Sequence, residues 1–460
     1  MSRFGVRRRR AVEASMRVLL VVHQFLPRHV AGTEIYTFSL AKGLRDRGHE
    51  VRIYTREEGS AGASSTERDD QYEGFPVRRF LIDQDRRRGY GIVRAFRRSL
   101  SDPAVDRAFD RLLREWRPDI VHFQHTVRLS TTMVGVAKRR RLPVVFTLHD
   151  YWYLCHRTQL LTSALGICEG PGSGAKCASC IQHPLVMNTR AEMGLRWIGR
   201  LAGIYRTHYM RRWLLQADLV IAPSEFLRGR FIAHGVPPEK IIRLPHGIAL
   251  ELFKGFQKRP ADRLRIGFIG SIVVHKGVHL LIEAFGRLGS DKAELLIYGE
   301  STATPEYAQQ LQQKAAGQPV RFMGGFRNDE IAGILSGLDL LVVPSIWPEN
   351  APLTIHEALA VRVPVIAARV GGIPALVRDG ENGLLFEVGS VDSLAIALGR
   401  IAVEPHLIDV LRGNADEVEV KSIRAHAIEI EQLYLSLVRR SVGSPPDRQR
   451  DATSGHSLSR

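Results

Sequence analysis

The stretch PSIWPENAPLTIHEALA, residues 344–360, sets Glu349 and Glu357 on either side of a proline-broken turn that runs into a helical pattern. A buried carboxylate needs a firm partner, so the pair is informative only if something polar is meant to meet it. Pro352 suits a first helical turn, and the free amides there, together with the helix dipole, favour an anion. A carboxylate beside an anion site is well used as an acceptor for hydroxyl groups. A nucleotide sugar offers both parts: a diphosphate for the amides, and ribose and hexose hydroxyls for the acids. The plain alternative is a helix-solvating Glu357 and an ordinary loop Glu349.

Three further stretches have chemical content. In GSIVVHKG (270–277), Lys276 stands before a glycine with no Gly-Lys-Ser/Thr run, which excludes a Walker A loop. A glycine at a strand end with a lysine on the following loop still suits a diphosphate, against the alternative of a surface lysine. In VAGTE (30–34), Gly32 would let a phosphate near the amides of the next helix; otherwise it is a tight turn. His149, in TLHD, ends a strand where a polar side chain can face a cleft, against the alternative of a structural hydrogen-bonder.

All four cysteines, Cys155, Cys168, Cys177 and Cys180, fall in one stretch that ends in CxxC. In a reducing compartment this spacing reads as a structural zinc site rather than disulfides, with free thiols or a redox pair as alternatives.

The elements that must position these residues follow an alternation. Short apolar runs (RVLLVVHQF, EVRIYT, DIVHFQH, PVVFTLHD, ADLVIAPS) are separated by helical patterns; after LPHGIALELFKGFQKRPADR, which reads as a linker, LRIGFIGS, AELLIYGE, VRFMGG, LDLLVVPS and VPVIAA restart the series. This predicts an α/β chain of two Rossmann-like parallel-sheet halves facing across a cleft. The expected boundaries are a basic arm at 1–15, a first half at 16–250 with a Cys-rich insertion at 151–183, and a second half at 262–415. A C-terminal helix at 416–440, packing back on the first half, and a disordered tail at 441–460 complete the chain. Open parallel sheets bind ligands outside the carboxyl ends of their strands, and each motif above falls at such an end.

The 460 residues are too many for one ordinary core, and the formal charge of +17, carried largely by arginine, favours phosphate-bearing partners. No apolar run reaches the ~20 residues of a membrane span, and the N-terminus lacks the features of a signal peptide. The expectation is a cytoplasmic protein without a spanning anchor. In MGLRWIGRLAGIYRTHYMRRWLL (193–215), Trp197, Ile198, Leu201, Ile204, Tyr205 and Tyr209 share one helical face, with Arg196, Arg200, Arg206 and Arg211 opposite. That pattern fits a helix lying on an anionic membrane surface, or one docked on a domain with its arginines in water. The net charge favours the membrane, at the inner face of the cell membrane.

The stretches AGTEIYTFSLAKGLRDRGHEV, APSEFLRGRFIAHGVPPEKI, GSIVVHKGVHLLIEAF and PENAPLTIHEALAVRVPVIAARVGGIPALVRDGENGLL resemble the retaining, family 4 nucleotide-sugar glycosyltransferases of GT-B fold, over roughly residues 16–440. The resemblance implies that Glu349 contacts the transferring sugar and Glu357 the ribose hydroxyls. It implies that Lys276 neutralises the diphosphate, with the backbone of Asn350, Ala351, Pro352 and Leu353 around it. Gly32 and His149 would approach from the first half, and Gly325 and Phe326 would lie near the base. The chain departs from the family where Ser271 replaces a frequent arginine and where a double glycine reads Ala31-Gly32. The implied reaction moves a sugar from a UDP-, GDP- or ADP-sugar to a glycan or lipid-linked acceptor of cell-surface polysaccharide synthesis. No cofactor is expected to be required for catalysis. The alternatives are a GT-B sugar-nucleotide epimerase and a nucleic-acid-binding protein; no reader motif supports the latter.

Overall fold

The computed structural model describes residues 15–59, 67–83, 92–182, 192–289, 293–302, 304–417 and 420–443. Nearly all of the expected basic arm and C-terminal tail lie outside them. The first sheet holds β1 (Arg17–Val21), β2 (Glu50–Gly59), β3 (Glu67–Tyr72), β4 (Phe75–Asp83), β5 (Ile120–Phe123), β6 (Val144–Thr147), β7 (Leu219–Ala222) and β8 (Ile241–Arg243), in the order β3-β4-β2-β1-β5-β6-β7-β8. The second holds β9 (Leu264–Ile269), β10 (Ala293–Tyr298), β11 (Val320–Gly324), β12 (Leu340–Val343), β13 (Val365–Ala368) and β14 (Gly383–Phe386), in the order β11-β10-β9-β12-β13-β14.

The central strands are buried end to end because helices cover both faces, which is why they read as unbroken apolar runs. Strand order reverses at β1 in one sheet and at β9 in the other. The loops beyond those strands are therefore where each sheet leaves a crevice.

One pairing departs from the expected all-parallel sheets. β3 runs antiparallel to β4 through a turn at Glu73 and Gly74, both with positive φ. Its sequence, ERDDQY, has too little apolar content to announce a strand. It is held as an edge by cross-strand ion pairs such as Arg78–Asp69 and Arg79–Asp70.

The last helix, Ile423–Gly443, returns to the first half and packs on the helix Gly32–Asp46. Tyr434 meets His122 at 2.5 Å, and Glu431 binds His49 at 2.8 Å and also pairs with Arg47.

The helix Glu192–Leu214 corrects the expected facing of its arginines. Arg206 is buried, along with Gly199, Gly203, Met210 and Leu214. Trp197, Ile198, Leu201 and Tyr205 point outward, at 65%, 60%, 56% and 53% exposure. The cause is backbone proximity. A Cβ on Gly203 would lie 2.2 Å from the Gly174 carbonyl oxygen, so only the small-residue face can seat on the Cys-rich segment. Arg206 reaches through that contact, donates to the Trp152 carbonyl at 2.6 Å, and lies over the Trp152 ring. Among the described residues no helix is long and apolar enough to cross a membrane.

Candidate functional site

A cavity of about 470 Å³ opens between the two halves, bounded by the loops beyond the strand ends. Every residue that the resemblance places around the donor or notes as a departure at that site lines it: Ala31, Gly32, His149, Ser271, Lys276, Gly325, Phe326, Glu349, Asn350, Ala351, Pro352, Leu353 and Glu357. They come from segments up to 325 positions apart, from Gly32 to Glu357.

The wall from the second half is built on β9 and β12. Glu349 is buried, and its Oε1 accepts from Ser345 Oγ at 2.7 Å, Trp347 Nε1 at 2.9 Å and Lys276 Nζ at 2.6 Å. Three donors converge on one oxygen, so that carboxylate is held in place, and among the described residues no hydrogen bond is made to Oε2. Lys276 also lies 5.5 Å from the Trp347 ring centroid, and its position fixes a positive charge at the cavity edge.

The helix Leu353–Ala360 begins directly after Pro352, whose carbonyl accepts from Ile355 N at 3.1 Å, while the amides of Leu353 and Thr354 precede the first helical hydrogen bond. Glu357, one turn in, is buried, and no donor among the described residues reaches its carboxylate. Burial alone pushes its carboxyl up to about 7. A group so placed gains most from hydroxyl donors.

The loop carrying these residues is pinned by two glycines the sequence reading passed over. Gly371, at φ +63, would place a Cβ 2.2 Å from the Glu349 carbonyl oxygen, and Gly372 N donates to that oxygen at 2.6 Å. The signal available was the VGG run just past β13. Asn350 is also partly spoken for, since its side-chain amide donates across the cleft to the His149 carbonyl at 2.6 Å. Tyr151, likewise unanticipated, bridges the halves from the Cys-rich segment through Pro348 O at 2.8 Å.

On the first half, Gly32 opens its helix opposite Leu353; a Cβ there would meet Leu353 Cδ1 at 3.8 Å and nothing nearer. His149 is bonded to Gln124 Oε1 at 2.9 Å and stacks on His246. Burial, with His125 nearby, pushes it well below the ordinary histidine range, so it is a neutral hydrogen-bonding group. Ser271, Gly325 and Phe326 also line the cavity, with Gly299 and Glu300.

Sequence reasoning missed a second polar group here: His23, Glu34, His125 and Asp150. His23, His125 and Asp150 each lie two or three positions past a strand end, the signal that could have found them.

The four cysteines are half-buried free thiols. Burial, then the charges of Cys155, Cys180 and Cys168, push Cys177 up to about 11. Among the described residues no three histidine, cysteine or acidic side chains are grouped closely enough to hold a metal ion as placed.

Comparison with known proteins bears on both halves. The family described as Glycosyltransferase Family 4 matches residues 30–252, and the one described as Glycosyl transferases group 1 matches residues 263–403. The alpha-monoglucosyldiacylglycerol synthase of Acholeplasma laidlawii is 24% identical over 433 residues, covering 92% of this chain and 98% of that one. The MMP alpha-(1->4)-mannosyltransferase of Mycolicibacterium hassiacum is 23% identical, covering 90% and 96%. Among solved structures, sucrose-phosphate synthase from Thermosynechococcus elongatus superposes with a TM-score of 0.67 at 20% identity, covering 92% of this chain and all of that one. Anabaena HepE in complex with UDP-glucose does so at 0.64 and 19%, covering 92% and 100%. These structures share the two-domain GT-B fold, and the matches leave the epimerase and nucleic-acid readings without support.

Proposed function

Taking as premise that the chain belongs to the family 4 glycosyltransferases, of GT-B fold, we propose that its cavity binds a nucleoside-diphosphate sugar and passes the sugar, with retention, to a glycan or lipid-linked acceptor. The observation that carries this reading is the triple grip on Glu349 Oε1 beside the unpartnered Glu357 and the start of the helix Leu353–Ala360. In it, Glu349 Oε2 meets the transferring sugar and Glu357 the ribose hydroxyls, while the base lies toward Gly325 and Phe326.

As the bond to the anomeric carbon breaks, negative charge grows on the diphosphate. Lys276 and the helix amides oppose it from fixed positions, which is the most effective place for such groups. Lys276 turns part of its charge from Glu349 to the leaving phosphate. The acceptor attacks from the leaving-group face, with its proton passing to a phosphate oxygen, and no protein nucleophile is assigned.

The donor is tested by thermal-shift measurement against UDP-, GDP- and ADP-glucose, since a ligand that binds the folded state raises Tm by mass action. UDP-glucose is the first candidate, supported by the HepE complex. One of the three should raise Tm; no shift with any would overturn the reading.

Two finer readings belong here. The outward stripe Trp197, Ile198, Leu201 and Tyr205, with Arg200, Arg211 and Arg212 exposed on the same helix, supports contact with an anionic membrane at its cytoplasmic face. A relative named for a glucosyldiacylglycerol product agrees with that. The spacing of Cys155, Cys168, Cys177 and Cys180 supports a structural zinc that would tie down the segment carrying Tyr151. No catalytic step is assigned to it.

A further inference from the structure

The loop that carries Glu349 belongs to the second half by sequence, since it follows β12, yet it is seated on the first. Trp347 is buried and packs into the apolar core of the first half, with Ile346 beside it; among the described residues these two are the second half's contribution to that core. The Trp347 and Tyr151 rings meet edge to face, with 6.3 Å between centroids. His275 meets the indole in the same manner at 5.7 Å.

The chain on either side of Glu349 is tied across the cleft as well. Tyr151 Oη donates to the Pro348 carbonyl at 2.8 Å, and the Asn350 side-chain amide donates to the His149 carbonyl at 2.6 Å. Tyr151 is itself held. Its N–H donates to Thr158 O at 3.0 Å, and its carbonyl accepts from Leu154 N at 2.8 Å and Cys155 N at 2.6 Å. The buried Arg206 donates to the carbonyls of Trp152 at 2.6 Å and Cys155 at 3.4 Å, and Cys155 and Cys168 pack on the same core as Trp347. The Cys-rich segment, to which the donor reading gives no task, thus forms a closed seat for the loop.

The three donors to Glu349 Oε1 are not equivalent. The Ser345 hydroxyl hydrogen rotates, and the Lys276 ammonium rides on a flexible stem, so both can follow the carboxylate wherever it points. An indole N–H points only where its ring plane points, and a hydrogen bond weakens steeply when misaligned. That plane is fixed by packing against Tyr151 and the first-half core. The direction of the Glu349 carboxylate is therefore set by residues of the other half.

We infer that Trp347 and Tyr151 are positioning residues for sugar transfer: the Cys-rich segment seats the Trp347 indole through Tyr151, and the indole aims the Glu349 carboxylate at the transferring sugar. The inference rests on the donor reading of Glu349 and adds to it the part of the first half that sets its geometry.

The test compares two ligands of the full chain by isothermal calorimetry: the nucleotide sugar chosen by the thermal-shift screen, and its nucleoside diphosphate, which lacks the sugar. The readout is the ratio of their affinities, because a damaged fold lowers both whereas a misdirected Glu349 penalises the sugar. Trp347→Phe, which keeps a ring in the seat and removes the N–H, should shift the ratio roughly 10-fold against the nucleotide sugar. Tyr151→Phe, which removes one oxygen, should shift it the same way by roughly 2- to 5-fold. Should Trp347→Phe fail to fold, Tyr151→Phe decides alone. Glu349→Gln supplies the reference shift, and Trp347→Phe combined with it should shift the ratio no further, because both act through one carboxylate. An equal loss of both ligands, a ratio unmoved in both ring variants, or full additivity of Trp347→Phe with Glu349→Gln would each overturn the inference. A ratio unmoved by Glu349→Gln itself, or no binding of either ligand by the wild-type protein, would instead overturn the donor reading beneath it.

Discussion

If Glu357 receives the ribose hydroxyls, donor binding must be coupled to a proton. The rise of its carboxyl from 4.5 to about 7 corresponds to about 3 kcal/mol against the ionised form. Hydroxyl donors stabilise that ionised form, so the bound donor lowers the pKa and expels the proton. The sign follows by linkage: affinity is full above pH 7 and falls about tenfold per pH unit as pH drops from 7 toward 5. Stability of the unliganded protein runs oppositely. The carboxyl binds its proton more tightly when folded, so its penalty appears as pH rises from 4.5 to about 7. Glu357→Gln should therefore stabilise the unliganded protein at pH 8, by up to about 3 kcal/mol, with little effect at pH 5. The same substitution should weaken the donor roughly 10- to 100-fold at pH 8 and leave a flat pH profile. Isothermal calorimetry at pH 6 in two buffers of different ionisation enthalpy reads the proton directly, and a nucleotide sugar avoids the ionisation of a terminal phosphate. Glu34 titrates in the same range, so Glu34→Gln is measured alongside to assign the step. An affinity independent of pH in the wild-type protein, with no proton released, would refute the assignment of Glu357.

Lys276→Ala should lower turnover by roughly 10²- to 10³-fold, because the fixed charge beside the leaving group is lost; unchanged single-turnover rates would contradict that role. Gly371→Ala forces a Cβ into a left-handed backbone against Glu349, and should lose roughly 1–3 kcal/mol in urea unfolding together with donor binding. Zinc should be present at about one ion per chain after gentle purification and fall when Cys177 and Cys180 are both changed to serine; substoichiometric metal in the wild-type protein would count against it. Vesicle co-sedimentation should require anionic lipid, and Trp197→Ser with Leu201→Ser should reduce it several-fold while leaving the donor-induced Tm shift intact; equal binding by wild type and variant would remove the membrane reading.

The sequence by itself carried the architecture and much of one wall. Central strands such as Val144–Thr147 and Leu340–Val343 are buried on both faces, so their apolar runs are visible without any knowledge of their neighbours. The edge strand β3 was not legible, because its pairing depends on arginines across the turn rather than on its own apolar content. Glu349, Glu357, Lys276 and Gly32 were legible because motif and strand end coincide in the chain. What only tertiary structure decided is how separated segments meet. The donors on Glu349 come from three residues, the polar set on the opposite wall comes from three strand-end loops and one helix start, and the facing of the helix Glu192–Leu214 is dictated by the close seat of Gly203 on Gly174. Periodicity reports which residues share a face. Which face is covered depends on the shape of what lies against it, and that is set by residues distant in the chain.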